Sequence, residues 1–346
     1  MTGLAPRPAR DMAAGAEPLL RISELTVEFR TRAGPIRAND KVSLDIRPAE
    51  TLGIVGESGS GKSVLCRAIL RLLPSPPAKV SAKSLLLAGR DLMALDDVEM
   101  RSVRGHDIAM IFQNPMTSLN PVWPIGDQVA EPLRLHRGMG RQQARKTTID
   151  LLRRVGIPAP ETRIDDYPHQ WSGGMMQRAV IAMALAGSPR LMLADEPTTA
   201  LDVTIQDQIL ALLLELQRET GMALALVSHD MGIIAETADR VAVMYAGRIV
   251  ELAPTAAIFE AAAHPYTQGL LRSIPRLEGR SAALAAIPGQ PPDLARLPVG
   301  CAFAERCPLA TPECRSSPIA LRQVGPDHMA ACLYPERVAS IDWRAA

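Results

Sequence analysis

Residues Gly53 to Leu70 read GIVGESGSGKSVLCRAIL, and the order of residue types in this run decides the fold. An apolar strand comes first, a Gly/Ser turn follows, and apolar positions then recur at helical spacing. Gly56, Gly59 and Gly61 allow backbone angles and close approaches that a side chain would block, so successive N–H groups can surround an anion at a helix N-terminus. Lys62 adds a positive charge for outer phosphates, and the Ser63 hydroxyl can ligate Mg²⁺. The run Gly56, Ser58, Gly59, Ser60, Gly61, Lys62, Ser63 and Val64 is therefore the candidate phosphate site.

Working outward, LRISELTVEF (20–29) and VSLDI (42–46) alternate apolar and polar residues and predict antiparallel strands ahead of the turn. From Gly126 to Gly187 the pattern is mostly helical. LMLADEP (191–197), ALALVSHD (223–230) and RVAVMYAG (240–247) then predict short buried strands separated by helices such as TIQDQILALLLELQRE (204–219). Strand alternating with helix implies a parallel sheet. Asp195 and Glu196 stand at the C-terminal end of one strand, where such sheets place ligands. Asp195 would hold Mg²⁺, directly or through water, and Glu196 would orient and deprotonate an attacking water. Ser172, Gly173 and Gly174, in HQWSGGMMQRAVIAMALAGSP (169–189), open another helix and form a second anion site.

The chain has 346 residues, 47% of them hydrophobic, enough for one large domain and something smaller. Its 38 Lys and Arg against 37 Asp and Glu give no electrostatic case for nucleic acid as a partner. The first 18 residues, rich in Ala and Pro, read as a disordered tail, and no apolar run approaches the roughly 20 residues that cross a bilayer. Composition changes near Pro275, which predicts a main domain over 19–275, with a helical subdomain at about 115–187, and a C-terminal extension over 276–346.

Two phosphate devices in one chain, with Ser-Gly-Gly before a helix, resemble the ATP-binding subunits of ABC transporters. The resemblance implies a P-loop NTPase of α/β class, with an antiparallel β subdomain, a helical subdomain and a small irregular extension. It also implies head-to-tail dimers in which Ser172, Gly173 and Gly174 of one subunit close on ATP held by the other. Gln113, in IFQNPMTSLNP (111–121), matches the Q-loop glutamine that senses Mg²⁺ and the attacking water and borders the membrane partner. Asp202 in TALD (199–202) matches the D-loop at the dimer seam, and His229 matches the switch histidine that contacts the γ-phosphate. Phe29 is the aromatic candidate for adenine stacking, with the Pro35–Ile36 region as the alternative by spacing. Met175 stands where many relatives have Gln, and Trp171 where Leu is common; the Met is usual in the peptide-importer branch.

EPTTALDVTIQDQIL (196–210), NPMTSLNP (114–121), HPYTQGLL (264–271) and FAERCP (303–308) resemble the ATPase of oligopeptide or dipeptide importers. That branch implies a second ATPase subunit, a copy or a related chain, together with two permeases and an extracytoplasmic binding protein. It places the chain peripherally at the cytoplasmic face of the membrane. Nickel or glutathione importers carry the same motifs. A soluble ABC protein remodelling ribosomes or DNA is disfavoured, because the chain has one ATPase half and no sustained heptads.

Cys301, Cys307, Cys314 and Cys332 fall close together, whereas Cys66 stands alone as a small core residue. In a reducing compartment such a set argues against disulfides and leaves a [4Fe–4S] cluster, Zn²⁺ or uncoordinated thiols. The lack of a C-x-x-C pair weakens the zinc reading, and resemblance to importers with this cysteine set points to the cluster.

Overall fold

The structure, a computed structural model, describes residues 17–32, 34–199, 201–274 and 287–343. All but the last two residues of the expected disordered tail, and the expected boundary near Pro275, lie outside the described residues. The chain divides into two compact units, one of 1–46, 50–93 and 228–346, the other of 47–49 and 94–227.

In the first unit, Leu20–Thr31 is the centre of an antiparallel sheet, paired with Gly34–Ile46 on one side and with Ala78–Ser81 and Ser84–Leu87 on the other. Leu20, Ile22, Leu25 and Val27 point inward. The step from Ile22 to Leu25 breaks the period of two because the strand bulges there, with Glu24 at φ 51°. Thr51–Val55, which leads into the phosphate turn, runs parallel to Arg240–Tyr245. Every residue of both strands is buried, so each large apolar side chain contributes about 1.5–3 kcal/mol and none alternates with a polar one. Arg240–Tyr245 then pairs antiparallel with Arg248–Pro254. Within the largely irregular C-terminal stretch, the hairpin of Arg322–Gly325 and His328–Ala330 continues this sheet through Glu251 and Leu252. The wholly buried Glu251 carboxylate secures that join: it accepts from the backbone N–H groups of Ala263 (2.7 Å) and His264 (3.0 Å) and meets His328 Nε2 at 2.7 Å.

The second unit holds a parallel run of Ile108–Ile111, Leu191–Asp195 and Ala223–Ser228, in that spatial order. Helices Ile125–Arg137, Arg141–Arg154 and Gly173–Ala186 supply the helical part that the sequence pattern predicts. They bury a core of Ala130, Leu133, Ala144 and Ala186, sealed by Met139 and Leu151. Arg178 Nη1 donates to the Val155 carbonyl (2.6 Å), which satisfies one of the acceptors a helix C-terminus leaves open. Among the described residues no helix is long and apolar enough to cross a membrane.

Candidate nucleotide-binding site

The phosphate turn is shaped by contacts that only glycine permits. Gly56 sits at φ 154°, where a Cβ would strike the Met244 carbonyl oxygen and meet Ser60 Oγ at 2.8 Å. Gly61, at φ 100°, caps the helix Lys62–Ile69; a Cβ there would strike the Ala38 carbonyl, and Asn39 Nδ2 donates to the Gly61 carbonyl at 3.1 Å. The turn is thereby locked with its N–H groups at the helix start, where the aligned peptide dipoles favour an anion. Lys62 is 5% exposed, and its ammonium donates to the carbonyls of Gly56 (2.7 Å) and Glu57 (3.0 Å) and to Ser60 Oγ (3.4 Å). Ser63 and Val64 follow in the first helical turn, half-buried, while Ser58 and Gly59 form the exposed tip.

In the second unit, Asp195 ends a fully buried strand and is 1% exposed. Glu196 follows in the left-handed region at φ 47°, a conformation costing about 1–3 kcal/mol that concentrates at functional sites. Its N–H donates to the Val227 carbonyl (3.1 Å), and its Oε2 accepts from Gln113 Nε2 (3.0 Å) and Thr199 Oγ1 (2.9 Å). The fold thus joins two residues predicted separately, Gln113 and Glu196, which are 83 positions apart. Thr199 went unrecognised as a partner of Glu196, because a hydroxyl in a turn carries no chemical signal until its acceptor is placed.

Ser172 caps the helix Gly173–Ala186, its hydroxyl accepting from the Met175 N–H at 3.3 Å. That bond uses the backbone of Met175, so methionine serves as well as glutamine for it. Gly173 and Gly174 form the first turn of this helix. Asp202 stands exposed at the N-terminus of Val203–Thr220. In the first unit, His229 is exposed on a turn fixed by Asp230, whose carboxylate accepts from the Gly232 N–H at 2.7 Å and whose own N–H donates to Ser228 Oγ at 3.0 Å. Phe29 is half-buried directly opposite Ile36, which places the two adenine-stacking candidates side by side on neighbouring strands.

Cys301, Cys307, Cys314 and Cys332 line one cavity of about 20 Å³ in the extension, together with His264 and Tyr334. Burial raises the pKa of Cys307 to about 12 and of Cys332 to about 11, with the neighbouring thiols adding to the effect. Four soft donors facing one cavity have the chemistry of a thiophilic metal site. Among the described residues, however, no group of three or more His, Cys, Asp or Glu side chains is arranged to hold a metal ion, so the iron-sulfur expectation gains no support from that geometry. Cys66 is a fully buried residue of the helix Lys62–Ile69.

Residues 39–199 match the ABC transporter family, and residues 250–314 match the oligopeptide/dipeptide transporter C-terminal region. A putative peptide import ATP-binding protein of Brucella ovis is 50% identical, covering 94% of this chain and 99% of that protein. This chain belongs to the ABC transporter ATPase family. The dipeptide transport ATP-binding protein of Escherichia coli is 48% identical to this ABC ATPase, over 92% of the chain and 97% of the relative. Among solved structures, a dimeric ATP-binding cassette in a post-hydrolysis state with ADP and phosphate is similar at a TM-score of 0.61 and 30% identity, covering 68% of this chain and 98% of that one.

Proposed function

We propose that this ABC ATPase hydrolyses ATP to drive peptide import through a membrane transporter. The observation that carries the reading is the Glu196 carboxylate, held by Gln113 and Thr199 directly after a buried strand ending in Asp195, in a chain that also has a complete phosphate loop. The loop N–H groups and Lys62 bind the triphosphate, and Glu196 accepts the proton of the attacking water. Gln113 and Thr199 fix the direction of that carboxylate. His229 contacts the γ-phosphate, and Ser172, Gly173 and Gly174 close on the nucleotide of a facing subunit, with Asp202 at the seam. The Ser63 hydroxyl, Gln113 amide and Asp195 carboxylate are hard oxygen donors of the kind Mg²⁺ takes; bound with ATP, the ion supplies charge neutralisation. Phe29 stacks on the adenine.

Peptide as the cargo is supported by the names of the relatives and by the C-terminal region. Docking to permeases at the cytoplasmic face is supported by the surface just after Gln113, where Met116 is 69%, Val122 73% and Trp123 50% exposed. An open groove of about 610 Å³, lined by Val122, Asp165, Tyr167 and His169 among others, lies beside it. Apolar side chains this exposed mark an interaction surface. The assembly has a second ATPase subunit, two permeases and an extracytoplasmic binding protein. For the four cysteines the reading is a [4Fe–4S] cluster or Zn²⁺, supported by the soft-donor chemistry of four thiols lining one cavity and not by their arrangement, which is not that of a metal site; iron, sulfide and zinc analysis of anaerobically purified protein separates the two, and metal-free protein ends both.

Glu196→Gln tests the catalytic reading: ATP binding persists while turnover falls at least about 100-fold. Undiminished hydrolysis, with other ATPase subunits inactivated, overturns it. Permeases co-purifying from membranes test the transport reading, and their absence counts against it.

A further inference from the structure

Two C-terminal motifs, HPYT and FAERCP, have no part in the hydrolytic chemistry, yet both reach the same residue of the phosphate loop. Tyr266, fully buried, accepts through its hydroxyl from the Glu57 N–H at 2.7 Å. Arg306 forks onto the Glu57 carboxylate, Nη1 to Oε2 at 2.8 Å and Nη2 to Oε1 at 2.9 Å. The Glu57 carbonyl is an acceptor for Lys62 Nζ and for the Ser60 N–H (3.2 Å). Glu57 is therefore held at its N–H, its carbonyl and both carboxylate oxygens, and all of these but the carbonyl are held from the C-terminal part of the chain.

Arg306 is built into its place. Its side chain is 6% exposed, Nε donates to the Pro288 carbonyl at 2.8 Å, and Nη1 also reaches the Tyr245 hydroxyl at 3.2 Å. The guanidinium lies over the rings of Tyr245 (5.8 Å) and Phe303 (5.6 Å), and Phe303 is fully buried against Tyr245, Tyr266 and His264. Cys307 follows Arg306 directly, and Cys301 begins the same short segment, tied to Cys314 by an N–H···O bond of 2.8 Å. A short hydrogen-bonded segment thus joins the cysteine cavity to the phosphate loop.

The chemistry of Glu57 gives this link a purpose. A carboxylate in a loop that accepts a triphosphate repels it, and a bidentate guanidinium both cancels that charge and fixes its direction. We propose that Arg306 is a positioning residue for ATP binding: by neutralising and immobilising Glu57, it lets the cysteine-bearing segment set the affinity of the phosphate loop for nucleotide. The proposal rests on that loop being the ATP site.

Arg306→Met, made in the full-length chain, raises the Kd for a fluorescent ATP analogue about 10-fold, and adding Glu57→Gln brings it back toward the wild-type value, because no unpaired carboxylate remains. Arg306→Lys, which keeps the charge without the fork, falls between. A contact running from the loop through Arg306 to this segment predicts that, in the metal-free chain, bound nucleotide changes the rate at which maleimide alkylates Cys301 and Cys307. That change disappears in Arg306→Met. An unaltered Kd in folded Arg306→Met, a double variant no tighter than the single, or wild-type alkylation indifferent to nucleotide each overturns the proposal. If Arg306→Met does not fold, the wild-type alkylation measurement decides alone. Lys62→Ala separates the two readings: it abolishes analogue binding if the loop is the ATP site, and persistent binding there sinks that reading instead.

Discussion

The phosphate loop and the cysteine segment lie in the same unit, but they are specified in different ways. From Gly56 to Ser63 the binding groups are mostly backbone N–H groups offered by consecutive residues, and the contacts that shape them are steric demands at Gly56 and Gly61. Around the cysteine cavity the groups are side chains drawn from separate segments: four thiols, His264 ahead of Pro265, and Tyr334 after the hairpin. A site made of contiguous backbone is most sensitive at its glycines and at the lysine that adds charge to it. A site made of converging side chains depends on every segment that delivers one.

The comparison breaks first at Gly61. Gly61→Ala would put a Cβ against the Ala38 carbonyl in a backbone region that strains any side chain, by about 1–3 kcal/mol before the collision is counted. We expect ATP-analogue binding to fall at least about 1000-fold in titration, with circular dichroism unchanged; near-normal binding would show that the loop backbone is not what holds the phosphates.

The next largest effect belongs to the side-chain region and appears as a pH dependence. Burial lowers the pKa of His264 to about 3 from its usual 6.5, while its Nδ1 accepts from the Tyr266 N–H at 3.1 Å. The unfolded chain therefore binds a proton that the folded chain refuses between these values. The stability contributed by neutral His264 is intact above about pH 6.5 and is lost as pH falls toward 3, by roughly 3 kcal/mol at pH 4. His264→Asn keeps an acceptor for the helix cap without a proton to gain, so its urea midpoint should decline less than that of the wild type over this window. Parallel declines would refute the assignment.

A smaller loss follows from Tyr266→Phe, which leaves the Glu57 N–H without its 2.7 Å acceptor and costs about 1–3 kcal/mol in chemical denaturation. No loss would mean that this bond does not tether the loop. As the low end of the scale, Arg145→Ala removes an exposed bidentate pair with Asp165 in the helical part of the other unit, and its cost should stay within about 1 kcal/mol. A larger value would place unexpected weight on surface charge.

The strand before the phosphate turn, the helix after it, the buried strand ending in Asp195 and the helix opened by Ser172 were legible because each is a local pattern. Apolar runs, glycines and caps act on their immediate neighbours, so their meaning survives in one dimension. The bulge at Glu24 leaves a mark in the sequence, the shift of apolar residues from even positions (Leu20, Ile22) to odd ones (Leu25, Val27), but the residue that takes the left-handed conformation is decided only by the strand pairing. The partnership of Gln113, Thr199 and Glu196 was legible only in part: order along the chain identified Gln113 and Glu196, but the hydrogen bonds between them come from adjacent parallel strands, Ile108–Ile111 and Leu191–Asp195.

What the sequence alone determined is the chemistry on offer: a turn that can bind phosphate, carboxylates suited to activating water, and thiols close enough in number and spacing to act together. Tertiary structure decided which of these groups meet. Nothing in the sequence marks Glu57, Tyr266 and Arg306 as partners, and only the pairing of Thr51–Val55 with Arg240–Tyr245, and of the sheet with the C-terminal hairpin, sets them within hydrogen-bond reach. The physical reason is range: backbone conformation and burial pattern are fixed by neighbours along the chain, whereas a hydrogen bond or ion pair exists only when two distant segments are packed to within about 3 Å.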